Sequence, residues 1–461
     1  MTEKKTVDMT TGSPFKHILG FMLPTLIGYL FQQFYSLVDT VIIGRFLGED
    51  SLAAVGSTGA INFMIIGFCM GLCTGFAIPI AQKFGAKNYV TMRKFVANAI
   101  WTAAVLGTVI TVVVYLLCMN ILKLLHTPSN IIDDAYIYIS ILFIGIPVTI
   151  MYNMASGIMR SLGDSRTPVY FLLISSGLNI VLDIVMVQYM GIAGPAWATV
   201  ISQLVSGLLC IAYMRKKFEI LRLMKEDLPL DLKCVGKLLY VGIPMGLQYS
   251  ITAIGSVVLQ SAVNVLGSVY VASSATALKI SMFFCCPYDA LGSTAATFSG
   301  QNMGAKEYGR IGEGMKWCNI LGCVYAVIAF SVLSFFGVSL ANLFIKEPSA
   351  MLLQNVSMYL KYNSMFYIFL VLVNVVRFTI QGMGYSILAI LAGVFEMIAR
   401  SFAGSVLVPV YGYKAACLAS PLAWVLADIF LIIAYAVIMR KLRGKTVHVR
   451  KNVAAVRPAV R

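Results

Sequence analysis

Apolar runs of about 20 residues, each long enough to cross hydrocarbon, succeed one another along this chain with short polar breaks between them. They predict helices at 17–44, 52–82, 95–122, 133–158, 168–190, 193–214, 236–266, 270–300, 315–343, 354–381, 386–409 and 413–439. Hydrocarbon offers the backbone no hydrogen-bond partner, so such runs must close their bonds internally as helices. The first run, from about Ile18 to Ile43, exceeds the apolar core of a signal peptide and contains Asp39. No small-residue cleavage site follows it, which predicts a retained first helix. The longest polar break carries Arg215, Lys216, Lys217, Arg222, Lys225, Lys233 and Lys237 and divides the chain near its middle. The expected parts are a segment at 1–15, six helices in 16–214, a linker at 215–235, six helices in 236–440 and a basic tail at 441–461.

The two halves repeat. Gln82-Lys-Phe-Gly-Ala-Lys-Asn-Tyr89 follows the second helix, and Gln301-Asn-Met-Gly-Ala-Lys-Glu-Tyr308 follows the eighth. Leu23-Pro24 answers Ile243-Pro244, and Arg160-Ser-Leu-Gly163 answers Gln381-Gly-Met-Gly384. Gly191-Ile-Ala-Gly-Pro-Ala-Trp-Ala-Thr199 answers Gly412-Tyr-Lys-Ala-Ala-Cys-Leu-Ala-Ser420 at nearly the same offset. A six-helix repeat enters the membrane twice in the same sense, so its halves are related by an axis along the membrane normal. The fold class expected is an all-α polytopic membrane protein of about twelve transmembrane helices, two six-helix lobes around a central cavity. Alternating access to such a cavity points to transport.

Composition agrees with lipid as the solvent. Hydrophobic residues make up 59% and charged residues 12% of the 461, against about 25% charged in soluble domains. Mean hydropathy is +0.85. The net charge of +16 sits in the short segments between spans, which is a topology signal and excludes nucleic acid as the partner. Lys83, Lys87, Arg93, Lys94, Arg160, Arg166, the linker and the tail fall on one side; Glu49, Asp50, Asp133, Asp134 and Glu347 fall on the other. Both termini are therefore expected in the cytoplasm of a multi-pass plasma-membrane protein. The tail is expected to be disordered beside anionic lipid. The ten cysteines form no C-x-x-C pair and read as small buried hydrophobes. Three histidines, His17, His126 and His448, lie near segment ends, so neither a metal centre nor an enzyme active site is expected.

Charges inside spans carry the candidate chemistry, because each is costly unless paired or hydrated. Gln32, Ser36 and Asp39 share one face of the first helix, Asn179 and Asp183 one face of the fifth, and Thr199, Ser202, Gln203 and Ser206 one stripe of the sixth. A carboxylate in low dielectric holds a proton more readily than in water. Oxygen-rich clusters also suit hard cations, so H+ and Na+ both fit. A lipophilic cation would compete for the same negative charge, which is the simplest physical basis for antiport. Tyr35 and Ser202 are further candidates for the cavity wall. Glu396 and Arg400 are spaced to neutralise each other; Asp289, after Pro287, is a candidate for a cavity role; Lys279, Arg377 and Asp428 have no assigned partner.

The block Gly157-Ile-Met-Arg-Ser-Leu-Gly-Asp-Ser-Arg-Thr-Pro168, the run Leu178 to Asp183 and the paired Gln-x-x-Gly-Ala-Lys segments resemble the multidrug and toxic compound extrusion (MATE) family over roughly residues 15–440. The chain is most similar to its DinF-like branch. That resemblance implies a secondary active multidrug exporter working by antiport against H+ or Na+, without a cofactor, as a monomer exchanging cationic drugs. It implies coupling roles for Asp39, Asn179, Asp183 and Thr199, and a bend of the first helix at Pro24. Leu259 and Gly404 stand at the repeat positions of Asp39 and Asp183, so the second half lacks the same acids. A lipid-linked saccharide flippase of the wider superfamily and an integral-membrane transferase are the competing readings.

Overall fold

The computed structural model describes residues 6–125, 127–343 and 349–455, with side chains through Gly444. His126 and Glu347, named above, lie outside what is described, and so does the side chain of His448. Helix α1 (Pro14–Gly85) is two spanning arms joined at Gly48, whose φ of 85° reverses the chain. There follow α2 (Tyr89–Leu124), α3 (Ile132–Ile144), α4 (Ile146–Ser161), α5 (Arg166–Met190) and α6 (Ala193–Lys217). The second half contains α7 (Leu232–Leu266), α8 (Ser268–Gly304), α9 (Tyr308–Ala341), α10 (Ala350–Met365), α11 (Tyr367–Gly382), α12 (Ser386–Phe402), α13 (Val408–Tyr411) and α14 (Tyr413–Ala455). The pairs α3–α4 and α10–α11 are single spans bent by 45° and 51°. With α12 and α13 joined as one span, the described residues make twelve crossings in two six-helix lobes.

The breaks have local causes. Gly145, Ile146 and Pro147 stand at the α3–α4 bend, where proline supplies no N–H to the preceding turn. A five-residue π segment, Ala403–Leu407, precedes Pro409, whose ring would clash with the carbonyl four residues back in a regular helix. Apart from Gly12, the positive-φ residues among those described pair off across the repeat: Gly48 with Gly267, Lys87 with Lys306, Gly163 with Gly384 and Gly191 with Gly412. The duplication seen in the letters is thus a duplication of backbone turns. Outward faces are apolar: Val105, Val109, Val112 and Leu116 make an exposed stripe on α2 that suits lipid.

The lobes exchange their first helices at the face that carries the linker. Ile18, Phe21 and Met22 of α1 lie in the core of the second lobe, while Cys234 and Leu238 of α7 lie in that of the first. Lipid gives helices no hydrophobic reason to associate, so close packing of small residues does the work. A Cβ at Gly71 would meet the Met245 carbonyl at 2.5 Å, and one at Gly75 would meet the Gly242 Cα at 2.5 Å. The two Gln-x-x-Gly motifs meet on the pseudo-axis. A Cβ at Gly85 would sit 1.9 Å from the Gln301 carbonyl oxygen, and one at Gly304 1.8 Å from that of Gln82. Gln82 Nε2 donates to the Gly382 carbonyl (3.0 Å), and Gln301 Nε2 to the Ser161 carbonyl (2.9 Å), which are repeat counterparts. The lobes are in backbone contact at this face.

The linker is docked on the first lobe: Asp227 accepts from Arg93 Nε (2.8 Å) and the Met224 amide (3.0 Å), and Asn98 accepts from the Asp231 amide (2.9 Å). One expectation needs correction. The tail was expected to lose order from Lys441, but α14 runs helically to Ala455. The N-terminal segment is also built in. Val7 N–H bonds the Leu162 carbonyl (3.0 Å) in the first lobe, and Met9 N–H bonds Gln301 Oε1 (2.9 Å) in the second. Arg310 donates to the carbonyls of Met9 (3.0 Å), Thr11 (3.2 Å) and Gly12 (2.9 Å).

Candidate functional site

Asp39 stands in the first arm of α1, and Asp183 and Asn179 on adjacent turns of α5. Asp183 and Asn179 are 0% and 3% exposed, so no bulk water solvates them. The carboxyls of Asp39 and Asp183 approach each other across α1 and α5, an approach that a shared proton would favour. Asn179 Nδ2 points at Asp183 Oδ1 at 3.5 Å. Among the described residues, Asp39 Oδ1, Asp183 Oδ2 and Asn179 Oδ1 are left with no donor. Buried acceptors without donors are costly. Three of them on one pair of helices would be satisfied by a proton or by a hard cation.

The wall around this pair is aromatic. Tyr35 is electrostatically coupled to Asp39 and bonded to Gln32, its neighbour on the α1 stripe. Tyr138 of α3 faces Asp39, Asp183 and Tyr35. Sequence reasoning missed Tyr138; its only signal was a phenol in an apolar run, where most phenols merely pack. The α6 stripe is not drawn into the acid pair by any bond. Thr199 donates to the Pro195 carbonyl (3.0 Å) and Ser202 to that of Ala198 (2.7 Å), both on their own helix. Gln203 instead accepts from Thr149 of α4 (2.6 Å). Ser36 is exposed, and its carbonyl accepts from Thr40 (2.9 Å).

The second lobe neutralises its charges differently. Glu396 bonds Arg377 of α11 with one oxygen and Arg400 of its own helix with the other (3.1 Å). The expected pair is therefore a triad with a net positive charge. Asp428 of α14 is 3% exposed, lies near Arg377 and Glu396, and has no hydrogen-bond partner on either oxygen among the described residues. Asp289 and Lys279 are exposed along α8, which runs unbroken through Pro287, and Asp289 sits near Tyr29 and Tyr249. Pro24 interrupts the bonding of α1 between Met22, which is in the second lobe's core, and Asp39, which belongs to the first.

Arg160 departs from expectation. It was read as part of a basic flank, yet it lines a small pocket between the lobes. Thr74, Ser161, Ser293 and Thr297 supply hydroxyl-bearing walls.

A sequence model of the MatE family matches residues 24–185 and 244–406. The chain belongs to the MatE family. The two matches fall one on each lobe, and the first contains Asp39, Arg160, Asn179 and Asp183. The chain is 30% identical over 344 residues to the probable multidrug resistance protein YoeA of Bacillus subtilis (strain 168), covering 72% of this chain and 73% of that one. It is 22% identical over 397 residues to the multidrug export protein MepA of Staphylococcus haemolyticus, covering 85% and 88%. A solved structure described as the outward-facing conformation of a multidrug resistance MATE family transporter superposes with a TM-score of 0.89 at 22% identity, over 96% of this chain and all of that one. MatE proteins are transporters, and this one is a multi-pass membrane protein of that fold.

Proposed function

We propose that this MatE protein is a secondary active exporter of organic cations and other xenobiotics, driven by H+ or Na+ entering the first lobe. The observation that carries the reading is the buried Asp39–Asp183 pair with Asn179, whose three orphaned oxygens offer a negative, oxygen-rich site. A coupling ion and a cationic substrate would each neutralise it, so occupancy by one disfavours the other. A ligand shifts an equilibrium only by its differential affinity for two states. Pro24 is where that difference would be felt, because α1 passes there from the acid pair to the other lobe's core. Thr199 would join the site only if its hydroxyl left the Pro195 carbonyl. The similarity to a probable multidrug resistance protein in Bacillus and a multidrug export protein in Staphylococcus supports drug export. The basic face is assigned to the cytoplasm of the plasma membrane, the chain to a functional monomer, and the N-lobe site to the DinF-like branch.

The test is ethidium efflux from proteoliposomes under proton and sodium gradients imposed separately. Efflux under one gradient, reduced at least about tenfold in Asp183→Asn with insertion intact, is the expected result. The gradient that works identifies the ion. Unchanged efflux in Asp183→Asn moves coupling out of the first lobe, and no efflux by the parent chain under either gradient removes the drug-export reading.

A further inference from the structure

Arg160 lies in the last turn of α4 and makes no ion pair or hydrogen bond among the described residues. Asp164 is held by the Thr167 hydroxyl (2.6 Å) and the amides of Arg166 and Thr167. Asp289 shares the neighbours Tyr29 and Tyr249 with Arg160 yet forms no pair with it. The carbonyl end of α4 compensates part of a cation's charge but not all of it.

The repeat supplies an independent comparison. Gln381 occupies the corresponding position of the second half; it is neutral and bonded to Gln248 within its own lobe (2.5 Å). The corresponding place in the first half holds an unpaired guanidinium facing the interlobe pocket. Packing needs only the glutamine solution, as the second lobe demonstrates. An unpaired cation within the membrane-spanning body is retained for a partner it meets there.

We propose that Arg160 is the anion subsite of the transport cavity and takes a carboxylate or phosphate carried by the substrate. This deepens the exporter reading and rests on it. The acid pair on α1 and α5 attracts the substrate's cationic group. Arg160, between the hydroxyls of Thr74, Ser161, Ser293 and Thr297, holds its anionic one. A guanidinium presents a planar fork that matches a carboxylate with two parallel bonds. The favoured substrates are then zwitterionic aromatic compounds rather than simple cations.

Rhodamine 123 and rhodamine 110 form a suitable probe pair, because they differ only in a methyl ester against a free carboxylic acid. Binding is read by fluorescence polarisation to the full chain in phosphatidylcholine nanodiscs, with a parallel set containing phosphatidylglycerol. The parent chain is expected to prefer rhodamine 110. Arg160→Gln is expected to weaken rhodamine 110 about tenfold and leave rhodamine 123 within about twofold. Arg160→Lys covers a glutamine variant that does not fold: it keeps the charge, loses the fork, and should weaken rhodamine 110 alone. Equal loss of both dyes, or of neither, overturns the anion subsite and leaves the exporter reading standing. Binding of neither dye by the parent chain defeats both readings. If phosphatidylglycerol competes with rhodamine 110 in the parent chain but not in Arg160→Gln, Arg160 belongs to a lipid headgroup, and the substrate assignment is overturned.

Discussion

Gly85 and Gly304 show how single residues set the state of this transporter. Each lies so close to the other half's backbone that a methyl group has nowhere to go, and backbone cannot rotate away as a side chain can. Gly85→Ala or Gly304→Ala should cost about 1–3 kcal/mol of the closed contact and shift the population toward opening at the basic face. Distances between spin labels on the two lobes at that face should lengthen; unchanged distances would show that the helices absorb the methyl group elsewhere. The sequence marked these glycines through the repeated Gln-x-x-Gly-Ala-Lys motif, but no spacing said that the two copies touch each other. The acid pair was similarly half legible. Helical spacing put Asn179 beside Asp183, whereas the approach of Asp39 to Asp183 across two helices is a tertiary fact.

At the scale of elements, the segment before α1 behaves as a strap across both lobes. Its Val7 and Met9 amides are bonded to different lobes, and Arg310 holds three of its carbonyls. Removing the guanidinium leaves those carbonyls to water. Arg310→Ala should raise hydrogen exchange across residues 7–12 about tenfold, the equivalent of one or two such bonds. Exchange that is already fast in the parent chain would mean the strap is not formed in solution. The strap was invisible in the sequence because its own side of each of these bonds is a backbone N–H or carbonyl, which no residue type signals. The bent spans were only partly visible: Pro147 announces the α3–α4 bend, but nothing so direct announces the break at Phe366, its counterpart.

At the scale of the whole molecule, the two lobes are joined by a linker anchored on the first. Burial alone would push the Asp227 carboxyl up, but the Met224 amide and the Arg93 guanidinium more than offset it and hold the group below the ordinary carboxylate range. A lowered carboxylate contributes stability that is present above its unfolded value, near 4, and is lost as pH falls through its folded value. Linker docking should therefore hold from neutral pH down to about 4 and weaken below it. Hydrogen exchange at residues 224–231, referred to the intrinsic rate at each pH, reads this directly. Asp227→Asn should loosen the linker at pH 7 as well; a linker equally protected in Asp227→Asn would assign its docking to the Asn98 bonds instead.

The sequence by itself determined the solvent, the helical class, the duplication and the residues whose burial in lipid demands an explanation. Those properties follow from hydropathy, from the 3.6-residue period and from identity at a fixed offset, all of which are local or one-dimensional. Tertiary structure alone decided which polar groups meet. It joined Asp39 to Asp183, made Glu396 the centre of a triad, returned the Thr199 and Ser202 hydroxyls to their own helix and left Arg160 facing the gap between the lobes. The reason is physical: in a low-dielectric interior a charge is defined by its partner, and partners from different helices are set by packing, which sequence spacing does not encode.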